Sequence, residues 1–276
     1  MNFLENKEKE LERLMDELTA QDCCVAFSGG VDSSLILKMA VESARKHGTK
    51  VTAVTFDTVL HPAADIDYAR KSARALGAEH QVIRVNELEE PRILENPPDR
   101  CYLCKKMLFE KLLAFARKSG VSAVMEGTNH DDEGQYRPGM KAVEELGIRS
   151  PLREAGISKR EVRMLAEKMG IPAADRPSAP CLATRLPYGT RIDTELLKKI
   201  DEGETYVREL GFRNVRLRLH DKILRLEVDR KDFMKLIKEA HQICSRLKEM
   251  GFSYITLDLE GFRSGSMDEQ KSRKNT

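Results

Sequence analysis

Apolar runs and helix-like segments alternate through the first two thirds of the chain. Runs that suit buried strands lie at 23–27, 51–56, 81–85 and 121–125. Apolar residues at helical spacing predict helices at 3–20, from the first loop to Gly48, and at 64–76, 102–118 and 159–169. Strands that alternate with helices favour an α/β fold with a parallel sheet and right-handed crossovers. The ligand site of such a sheet is expected at the carboxyl ends of its strands.

The pattern changes towards the end of the chain. An amphipathic helix at 194–210 precedes a strictly alternating strand at 215–220, which a tight turn joins to a partner at 223–228. This pair of strands is expected to be antiparallel and half exposed. A helix at 231–249 and a strand at 254–259 complete a small α+β domain. The predicted organisation is a larger α/β domain at 1–185, the smaller α+β domain at 186–265 and a disordered tail at 266–276.

The charge balance favours a small-molecule enzyme. The chain has 276 residues, with 47 Lys and Arg against 45 Asp and Glu, so no long-range positive field indicates nucleic-acid binding. No apolar stretch approaches the roughly 20 residues of a membrane span, and the first ten residues are charged where a signal peptide is hydrophobic. We expect a cytoplasmic protein with no membrane or nucleic-acid partner. Its six cysteines are not expected to form a disulfide framework.

Two consecutive glycines follow the first predicted strand. The stretch from Ser28 to Ser34 reads Ser-Gly-Gly-Val-Asp-Ser-Ser and leads into a helix. Gly29 and Gly30 at such a turn allow positive φ and the close approach of a ligand, and the amides and dipole of the helix start attract an anion. The pattern predicts a phosphate site. The alternative is an ordinary Gly-Gly turn with a Ser or Asp helix cap.

A second polar loop follows the fourth predicted strand and reads Glu126-Gly127-Thr128-Asn129-His130-Asp131-Asp132. By its position it is also expected at the carboxyl edge of the sheet. From the residues alone, a polar turn with an Asx cap is the alternative to a binding loop.

Three cysteines stand apart from the expected core. Cys101 and Cys104 form a Cys-x-x-Cys at a helix entry, and Cys181 is isolated in the segment 177–189, where prolines exclude a helix. A zinc site is disfavoured because the sequence has no second Cys-x-x-Cys to complete four ligands. A thioredoxin-like dithiol is disfavoured because the motif does not follow a first strand. An iron–sulfur cluster held by three thiolates and a set of buried small hydrophobes remain as alternatives. Core positions are expected for the other three, Cys23, Cys24 and Cys244.

Arg216, Arg218 and His220 fall on one face of the alternating strand. This face is either solvated or a cationic surface for phosphate or carboxylate groups. Arg185 and Arg191, from the preceding loop, would add guanidinium forks that suit bidentate contacts.

The two polar loops resemble those of the PP-loop ATP pyrophosphatases, which split ATP between its α- and β-phosphates to adenylylate an acceptor. Ser-Gly-Gly-x-Asp-Ser matches the first loop and Gly-Thr-Asn-x-x-Asp the second. Together with Pro-x-x-x-Cys-Leu-Ala-Thr-Arg-x-Pro-Tyr-Gly and Val-Arg-Leu-Arg-Leu-His, they resemble one PP-loop family, LarE, from about Leu11 to Leu259. The resemblance implies a Rossmann-like domain of the adenine nucleotide alpha hydrolase type.

The resemblance further implies an ATP-dependent sulfurtransferase of nickel-pincer nucleotide synthesis. ATP would adenylylate a carboxylate of a pyridinium dicarboxylate mononucleotide, and a sulfur donor would displace AMP to give a thiocarboxylate. The implied nucleotide-binding residues are Ser28, Gly29, Gly30, Asp32, Ser33, Ser34, Phe56, Gly127, Asn129 and Asp131, with Mg²⁺ at Asp32. The family pattern implies that Arg216 and Arg218 hold the substrate phosphate or a carboxylate, with Glu204 and Asp232 as weaker candidates for a metal or anion-ordering role. With Arg185 and Arg191, the candidates from the preceding loop, these arginines form the predicted substrate-binding set.

Two kinds of sulfur donor occur in the family. In one, the cysteine that matches Cys181 gives up its own sulfur and becomes dehydroalanine. In the other, that cysteine and a Cys-x-x-Cys bind a 4Fe–4S cluster whose fourth iron has no protein ligand and carries a labile sulfide. Because Cys101 and Cys104 are present, we expect the cluster type, with Cys181 and Asp32 as the catalytic residues.

The family also implies a trimer-based homo-oligomer, for which a hexamer is one form. The nearest competing prediction is a tRNA thiolation enzyme, since PP-loop tRNA thiolases also use a three-cysteine cluster. Such enzymes resemble this chain in donor chemistry but bring basic RNA-binding surfaces and often terminal Cys pairs, which this sequence lacks.

Overall fold

The computed structural model describes residues 3–62, 64–133, 137–172, 180–263 and 266–267. By packing, the chain divides into two compact units. The first unit comprises Met1–Glu89 and Asp99–Ala179, and the second comprises Glu90–Pro98 and Pro180–Thr276. The sequence placed 90–98 and 180–185 in the larger domain, whereas both segments pack within the second unit. Apart from Ser266 and Met267, the tail that the sequence predicts to be disordered lies outside the described residues.

A four-stranded parallel sheet forms the centre of the first unit. Its strands are β1 (Cys23–Ala26), β2 (Val51–Thr58), β3 (Glu79–Val85) and β4 (Ala123–Met125), in the spatial order β3-β2-β1-β4. All neighbouring strands are parallel, which confirms the predicted α/β class. Because β1 pairs with β4, the loops that follow these two strands leave the same edge of the sheet side by side.

The helices, in chain order, are α1 (Phe3–Leu18), α2 (Val31–His47), α3 (Ala64–Ala75), α4 (Pro91–Leu94), α5 (Arg100–Lys118), α6 (Pro138–Glu145), α7 (Pro151–Glu154), α8 (Lys159–Lys168), α9 (Thr194–Glu209), α10 (Phe233–Lys238) and α11 (Ala240–Glu249). Short 3₁₀ turns lie at Glu87–Glu89, His130–Asp132, Leu182–Arg185 and Arg230–Asp232. The helix predicted at 231–249 is divided at Glu239. The sequence missed α6 and α7, which begin with Pro138 and Pro151, because proline reads as loop but also fits a first helical turn. Among the described helices, none is both long and apolar enough to cross a membrane.

Helices cover both faces of the parallel sheet. Residues of α1, α2 and α8 pack with Cys23 and Val25 on one face, and residues of α5 and α6 pack with Cys24 and Val54 on the other. Burial raises the pKa of the Cys23 thiol to about 12 and that of the Cys24 thiol to about 11. Both thiols are therefore protonated core groups, as the sequence predicted.

A three-stranded sheet forms the centre of the second unit. It consists of β5 (Val215–His220), β6 (Ile223–Val228) and β7 (Tyr254–Leu257), with β5 and β6 antiparallel and β6 and β7 parallel. The expectation of a half-exposed strand pair is wrong for β5, since residues 215–218 are all buried. Its polar face is covered because Arg218 Nη1 donates to Thr184 O at 2.9 Å and the guanidinium of Arg216 lies 5.3 Å from the centre of the Phe262 ring.

Candidate active site

The loop between β1 and α2 has the geometry of an anion site. Gly29 has a φ of 72°, a conformation that favours glycine, and Gly30 is extended at the N-cap of α2. Ser34 N donates to Gly30 O at 2.9 Å and is the first amide of the helix with a helical acceptor. The amides of residues 31–33 therefore have no acceptor within α2, and together with the helix dipole they attract negative charge.

The serine hydroxyls of this loop differ in how open they are. Ser28 Oγ and Ser33 Oγ lie 3.3 Å apart beside the helix start, and Ser33 Oγ donates to Gly30 O at 3.1 Å. The hydroxyl of Ser34 is enclosed and has no hydrogen-bond partner within the part of the chain that the structure describes. Ser28 and Ser33 are thus placed to meet a phosphate, whereas a ligand reaches the Ser34 hydroxyl only if the loop moves.

The second loop packs directly on the start of α2. A Cβ atom at residue 127 would lie 2.9 Å from Ser33 N and 3.1 Å from the Cβ of Asp32, so only glycine fits there without a backbone shift. Asn129 Nδ2 donates to Asp32 Oδ1 at 3.1 Å. The structure brings the two loops together at the carboxyl edge of the sheet and gives Gly127 a packing role.

Asn129 also caps its own turn. Its Oδ1 accepts from Asp131 N at 3.0 Å, and its N donates to Asp132 Oδ2 at 3.1 Å. The Asx-capped turn that the sequence offered as an alternative is therefore present. It does not compete with a binding role, because the same asparagine uses its amide nitrogen to reach Asp32.

Lys159 is a site residue that the motifs did not indicate. It opens α8, whose start is closed by a capping box of Ser158 and Glu161. Lys159 Nζ forms an ion pair with Asp32 Oδ2, and Lys159 N donates to Asp131 Oδ2 at 2.8 Å. The helix dipole opposes a cation in the first turn of a helix. A lysine in the first turn of a helix therefore indicates that carboxylates lie nearby to stabilise it, and this is the sequence feature that could have identified Lys159 as a site residue.

Phe56 lies near the carboxyl end of β2, and its ring packs against α5. Its ring centre is 6.2 Å from that of Phe109, in the core between the sheet and α5. This contact accounts for an aromatic residue at position 56. A contact between Phe56 and the adenine base stays a prediction.

Glu126, immediately before Gly127, is a buried carboxylate with a full set of donors. It accepts from Thr128 N, Thr128 Oγ1, Ser150 Oγ and Lys105 Nζ at 2.9, 2.8, 2.6 and 3.0 Å. Burial by itself raises the pKa of this carboxyl, but the charge of Lys105 and the hydrogen bonds from Ser150 and Thr128 lower it further than burial raises it. Glu126 is therefore ionised at neutral pH and fixes the second loop.

Cys101 and Cys104 lie in the first two turns of α5. Cys101 is exposed and Cys104 is half buried, unlike the enclosed pair in β1. At a spacing of three residues, the two thiols share one face of the helix. Arg100 Nη2 donates to Cys101 Sγ at 3.6 Å, and Cys104 Sγ donates to Glu87 Oε1 at 4.0 Å. Burial raises the pKa of the Glu87 carboxyl, and hydrogen bonds from its own backbone, Thr58 and Val59 partly oppose that shift.

Cys181 belongs to the second unit and precedes the turn Leu182–Arg185. Its carbonyl oxygen accepts from Thr184 Oγ1 at 2.7 Å and from Arg185 Nη1 at 3.2 Å. Among the described residues, no three His, Cys, Asp or Glu side chains form a metal-binding group. A cluster held by Cys101, Cys104 and Cys181 therefore stays a prediction.

The arginines expected to bind substrate fall into two classes. Arg191 is exposed, with Nη1 at 3.5 Å from Glu95 Oε1. Arg185 is only 2% exposed and forms a two-pronged ion pair with Glu204, at 2.8 and 2.9 Å. The remaining nitrogen of Arg185 donates to Pro180 O, Cys181 O and Thr184 Oγ1. Arg185 thus lies in the interior, where it holds the backbone around Cys181, rather than on an open cationic surface.

Arg216 and Arg218 are also buried, but their surroundings differ. Arg218 Nε donates to Glu227 Oε1 at 2.7 Å. Arg216 lies 4.0 Å from Glu204, a carboxylate that already pairs with Arg185. Burial and then the positive charge of Arg185 lower the pKa of Arg216 to about 10, against the attraction of Glu204. An additional anion beside Arg216 would offset this repulsion.

Comparison with known proteins identifies the family to which the chain belongs. A family model described as asparagine synthase matches residues 12–127. Pyridinium-3,5-bisthiocarboxylic acid mononucleotide synthase of Lactiplantibacillus plantarum is 37% identical over 269 residues, which cover 98% of this chain and 96% of that protein. The chain belongs to the LarE family, that of this synthase.

Two further relatives differ in how much of this chain they match. An uncharacterized protein of Synechocystis is 36% identical over 96% of this chain and 98% of its own length. A tRNA-specific 2-thiouridylase of Agrobacterium fabrum is 28% identical over 55% of this chain and 48% of its own length. Similarity to the thiouridylase therefore covers little more than half of the LarE chain, whereas similarity to the mononucleotide synthase covers nearly all of it.

Proposed function

We propose that this LarE family protein is an ATP-dependent sulfurtransferase that adenylylates the carboxylates of a pyridinium dicarboxylate mononucleotide and converts them to thiocarboxylates. The observation that carries the proposal is the meeting of the phosphate loop, the second loop and Lys159 at one sheet edge. Amides, a carboxylate and a lysine in this arrangement suit the departure of pyrophosphate. The near full-length similarity to a pyridinium-3,5-bisthiocarboxylic acid mononucleotide synthase supports a pyridinium dicarboxylate mononucleotide as the acceptor.

In the first stage, a substrate carboxylate oxygen attacks the α-phosphorus of ATP. The new O–P bond replaces the bond to the β-phosphate, and pyrophosphate leaves with that electron pair. The amides of residues 31–33 and the hydroxyls of Ser28 and Ser33 would hold the departing oxygens. The substrate carboxylate needs this activation because a free carboxylate resists attack by sulfur, whereas AMP can leave from the acyl-adenylate.

Lys159 would change partners during this stage. In the structure its Nζ is paired with Asp32, and both side chains reach solvent, at 38% and 21% exposure. A bound polyphosphate would offer Lys159 a stronger anionic partner and leave the carboxylate of Asp32 for Mg²⁺. One carboxylate fits, since Mg²⁺ commonly binds through one or two carboxylates and substrate phosphates. Mg²⁺ there would neutralise charge on the leaving pyrophosphate.

For sulfur delivery we propose a 4Fe–4S cluster ligated by Cys101, Cys104 and Cys181. The first two thiols fit two ligand positions, because they share a helix face and are at least partly open to solvent. A cluster with one iron free of protein ligands would supply the sulfide that displaces AMP. Within the chain, Thr184 and Arg185 would keep the Cys181 backbone in place through its carbonyl oxygen.

Substrate phosphate recognition is proposed for Arg216, with Arg218 beside it on β5. Arg218 already has a close carboxylate partner, whereas Arg216 shares Glu204 with Arg185. The exposed Arg191 could contact a substrate carboxylate. Glu204 would order these arginines by fixing Arg185. Among the contacts of the described residues, Asp232 has a place in the turn Arg230–Asp232 and no comparable role. A trimer-based homo-oligomer is part of the proposal, to be measured by light scattering.

The test is a turnover assay with purified protein, ATP, Mg²⁺, a sulfide source and the dicarboxylate mononucleotide. We expect pyrophosphate and AMP release that depends on the mononucleotide, and a product heavier by the exchange of oxygen for sulfur. Iron and acid-labile sulfide should approach four of each per chain in anaerobically prepared protein. Thiolation of tRNA, with no response to the mononucleotide, would support the competing prediction instead. A loss of hydrogen sulfide from Cys181 after one turnover would support the sacrificial donor.

A further inference from the structure

Glu126 links the second loop to the helix that carries the Cys-x-x-Cys. Its Oε1 accepts from Thr128 N and Ser150 Oγ, and its Oε2 accepts from Thr128 Oγ1 and Lys105 Nζ. The side chain is 7% exposed. Because a buried carboxylate is costly unless it is paired and hydrogen-bonded, this geometry is held firmly.

The lysine on the other side of this link is more exposed, at 28%, but its neighbours limit its movement. Lys105 directly follows Cys104 on α5, and its Nζ lies 5.3 Å from the centre of the Phe109 ring. A Cβ atom at Gly139 would lie 3.0 Å from Lys105 Cδ and 3.5 Å from Cys101 O, so α6 closes over the same helical turn. The first two turns of α5 therefore have little freedom to move without Lys105.

The loop side of the link reaches the phosphate site. Glu126 precedes Gly127, whose backbone touches α2 so closely that an added Cβ would lie 2.9 Å from Ser33 N. Ser33 N is one of the amides available to an anion at the helix start. Close packing along this line provides a path by which a change at the helix start would reach Glu126 and, through it, Lys105.

We propose that Glu126 and Lys105 form a positioning pair that couples nucleotide binding at α2 to the order of the first two turns of α5, where Cys101 and Cys104 lie. The inference rests on the proposed ATP site and names a connection within that site. Nucleotide phosphates on the Ser33 amide hold the second loop, the loop holds Glu126, and Glu126 holds Lys105. The half-buried Cys104 then becomes accessible less often, because a partly enclosed thiol reacts through local opening.

Thiol alkylation in the full-length protein, purified without cluster assembly, tests this coupling. The probe is an ATP analogue with a methylene group between the α- and β-phosphates, and peptide mass mapping reads each cysteine separately. We expect the analogue to slow alkylation of Cys104 by about five-fold, the low end of typical coupling energies. Cys101 is exposed and serves as the internal control, with a much smaller change expected.

Lys105→Met and Glu126→Gln should abolish the effect of the analogue on Cys104. Lys106→Met is the matched control, since the next lysine on α5 bonds to Tyr102 and Glu145 instead, both at 3.2 Å. The double variant Lys105→Met/Glu126→Gln avoids an unpaired buried charge and should behave as the single variants do. Equal slowing of Cys104 in wild type and Lys105→Met would overturn the proposal, because the nucleotide would then shield the thiol directly.

Calorimetric measurement of analogue binding distinguishes a failure of the coupling from a failure of the ATP site. If the analogue binds and the Cys104 rate does not change in the wild type, the coupling is wrong and the ATP site stands. If the analogue does not bind at millimolar concentration, the proposed ATP site is wrong and the coupling is overturned with it.

Discussion

The two charged centres of this molecule differ in their access to water. In the first unit, Lys159 and Asp32 are 38% and 21% exposed, whereas in the second unit Arg185 and Glu204 are 2% and 1% exposed. An ion pair that water reaches contributes about 0–1 kcal/mol and can exchange partners at small cost. A buried pair cannot lose one member without leaving an uncompensated charge. The first centre is therefore suited to a ligand that arrives and leaves, and the second to holding the backbone around Cys181.

The largest expected effect is on the buried centre. Glu204→Gln should lower the free energy of unfolding by about 3–5 kcal/mol, because Arg185 would stay buried without a full negative partner. Chemical denaturation followed by far-UV circular dichroism measures this, since the chain has no tryptophan. Glu202→Gln, exposed on the same helix, is the control and should change stability by no more than about 0.5 kcal/mol. Equal stability of the Glu204 variant and wild type would remove the distinction between the centres.

At the exposed centre the effect should fall on rate instead of stability. Lys159→Met should slow mononucleotide-dependent pyrophosphate release by about 10²–10³-fold, the usual cost of one lost donor to developing negative charge. Its unfolding free energy should change by about 1 kcal/mol or less. Lys168→Met, on the same helix and paired with Glu8, should retain the wild-type rate. A rate loss shared by both variants would point to damage to α8 rather than to the site.

Local patterns predicted the scaffold of the first centre but not its lysine. The strand ends, the glycines and the second loop all came from short-range features, and the alternation of strands and helices predicted a parallel sheet. The pairing of β1 with β4, which places the two loops side by side, comes from the structure. Lys159 is 127 residues from Asp32 in the chain, so no local pattern joins them. What brings them together is the packing of α8 on the sheet, which a single sequence does not encode locally.

The exposure of the second centre was predicted wrongly, also because it depends on contacts between distant parts of the chain. Arg216 and Arg218 alternate with apolar residues, which is the pattern of a strand with one solvated face. Both are buried because Glu204 and Glu227 supply opposite charge inside the unit, and because the turn Leu182–Arg185 lies over β5. An alternating sequence indicates that the two faces of a strand differ in polarity. Whether the polar face is buried also depends on opposite charges that other segments of the fold bring to it.

A smaller effect is expected where the two loops touch. Gly127→Ala should destabilise the protein by about 1–3 kcal/mol, because the added Cβ meets backbone atoms that must shift. It should also weaken binding of the methylene ATP analogue, since Ser33 N is the displaced group. Gly30→Ala is the comparison, because a Cβ there lies at an ordinary 3.4 Å from Ser28 Oγ. If the two variants lose equal stability, the close contact between the loops is not the constraint that the structure indicates.

Acid should narrow the difference between wild type and Glu204→Gln. Burial raises the pKa of Glu204, but the hydrogen bonds and charge of Arg185, and then the charge of Arg216, lower it overall. A carboxyl whose pKa is lower in the folded state stabilises the fold above its unfolded pKa, about 4.3, and loses that contribution as the pH falls through the folded value. Unfolding midpoints of both proteins between neutral pH and about pH 3 measure this. A constant difference across that range would show that Glu204 does not titrate with folding.

The smallest expected effect on stability is at Arg191, the exposed arginine that the sequence predicts to contact substrate. Arg191→Gln should leave the unfolding free energy within about 0.5 kcal/mol, because its pair with Glu95 is exposed and 3.5 Å long. If Arg191 binds a substrate carboxylate, KM for the mononucleotide should rise by about ten-fold while KM for ATP stays constant, since a hydrogen bond to a charged group contributes about 1.5–3 kcal/mol. Glu95→Gln breaks the same ion pair and should leave both constants unchanged. A rise in KM for the mononucleotide in both variants would mean that the ion pair shapes the loop, and no rise in either would leave substrate recognition to the buried arginines of β5.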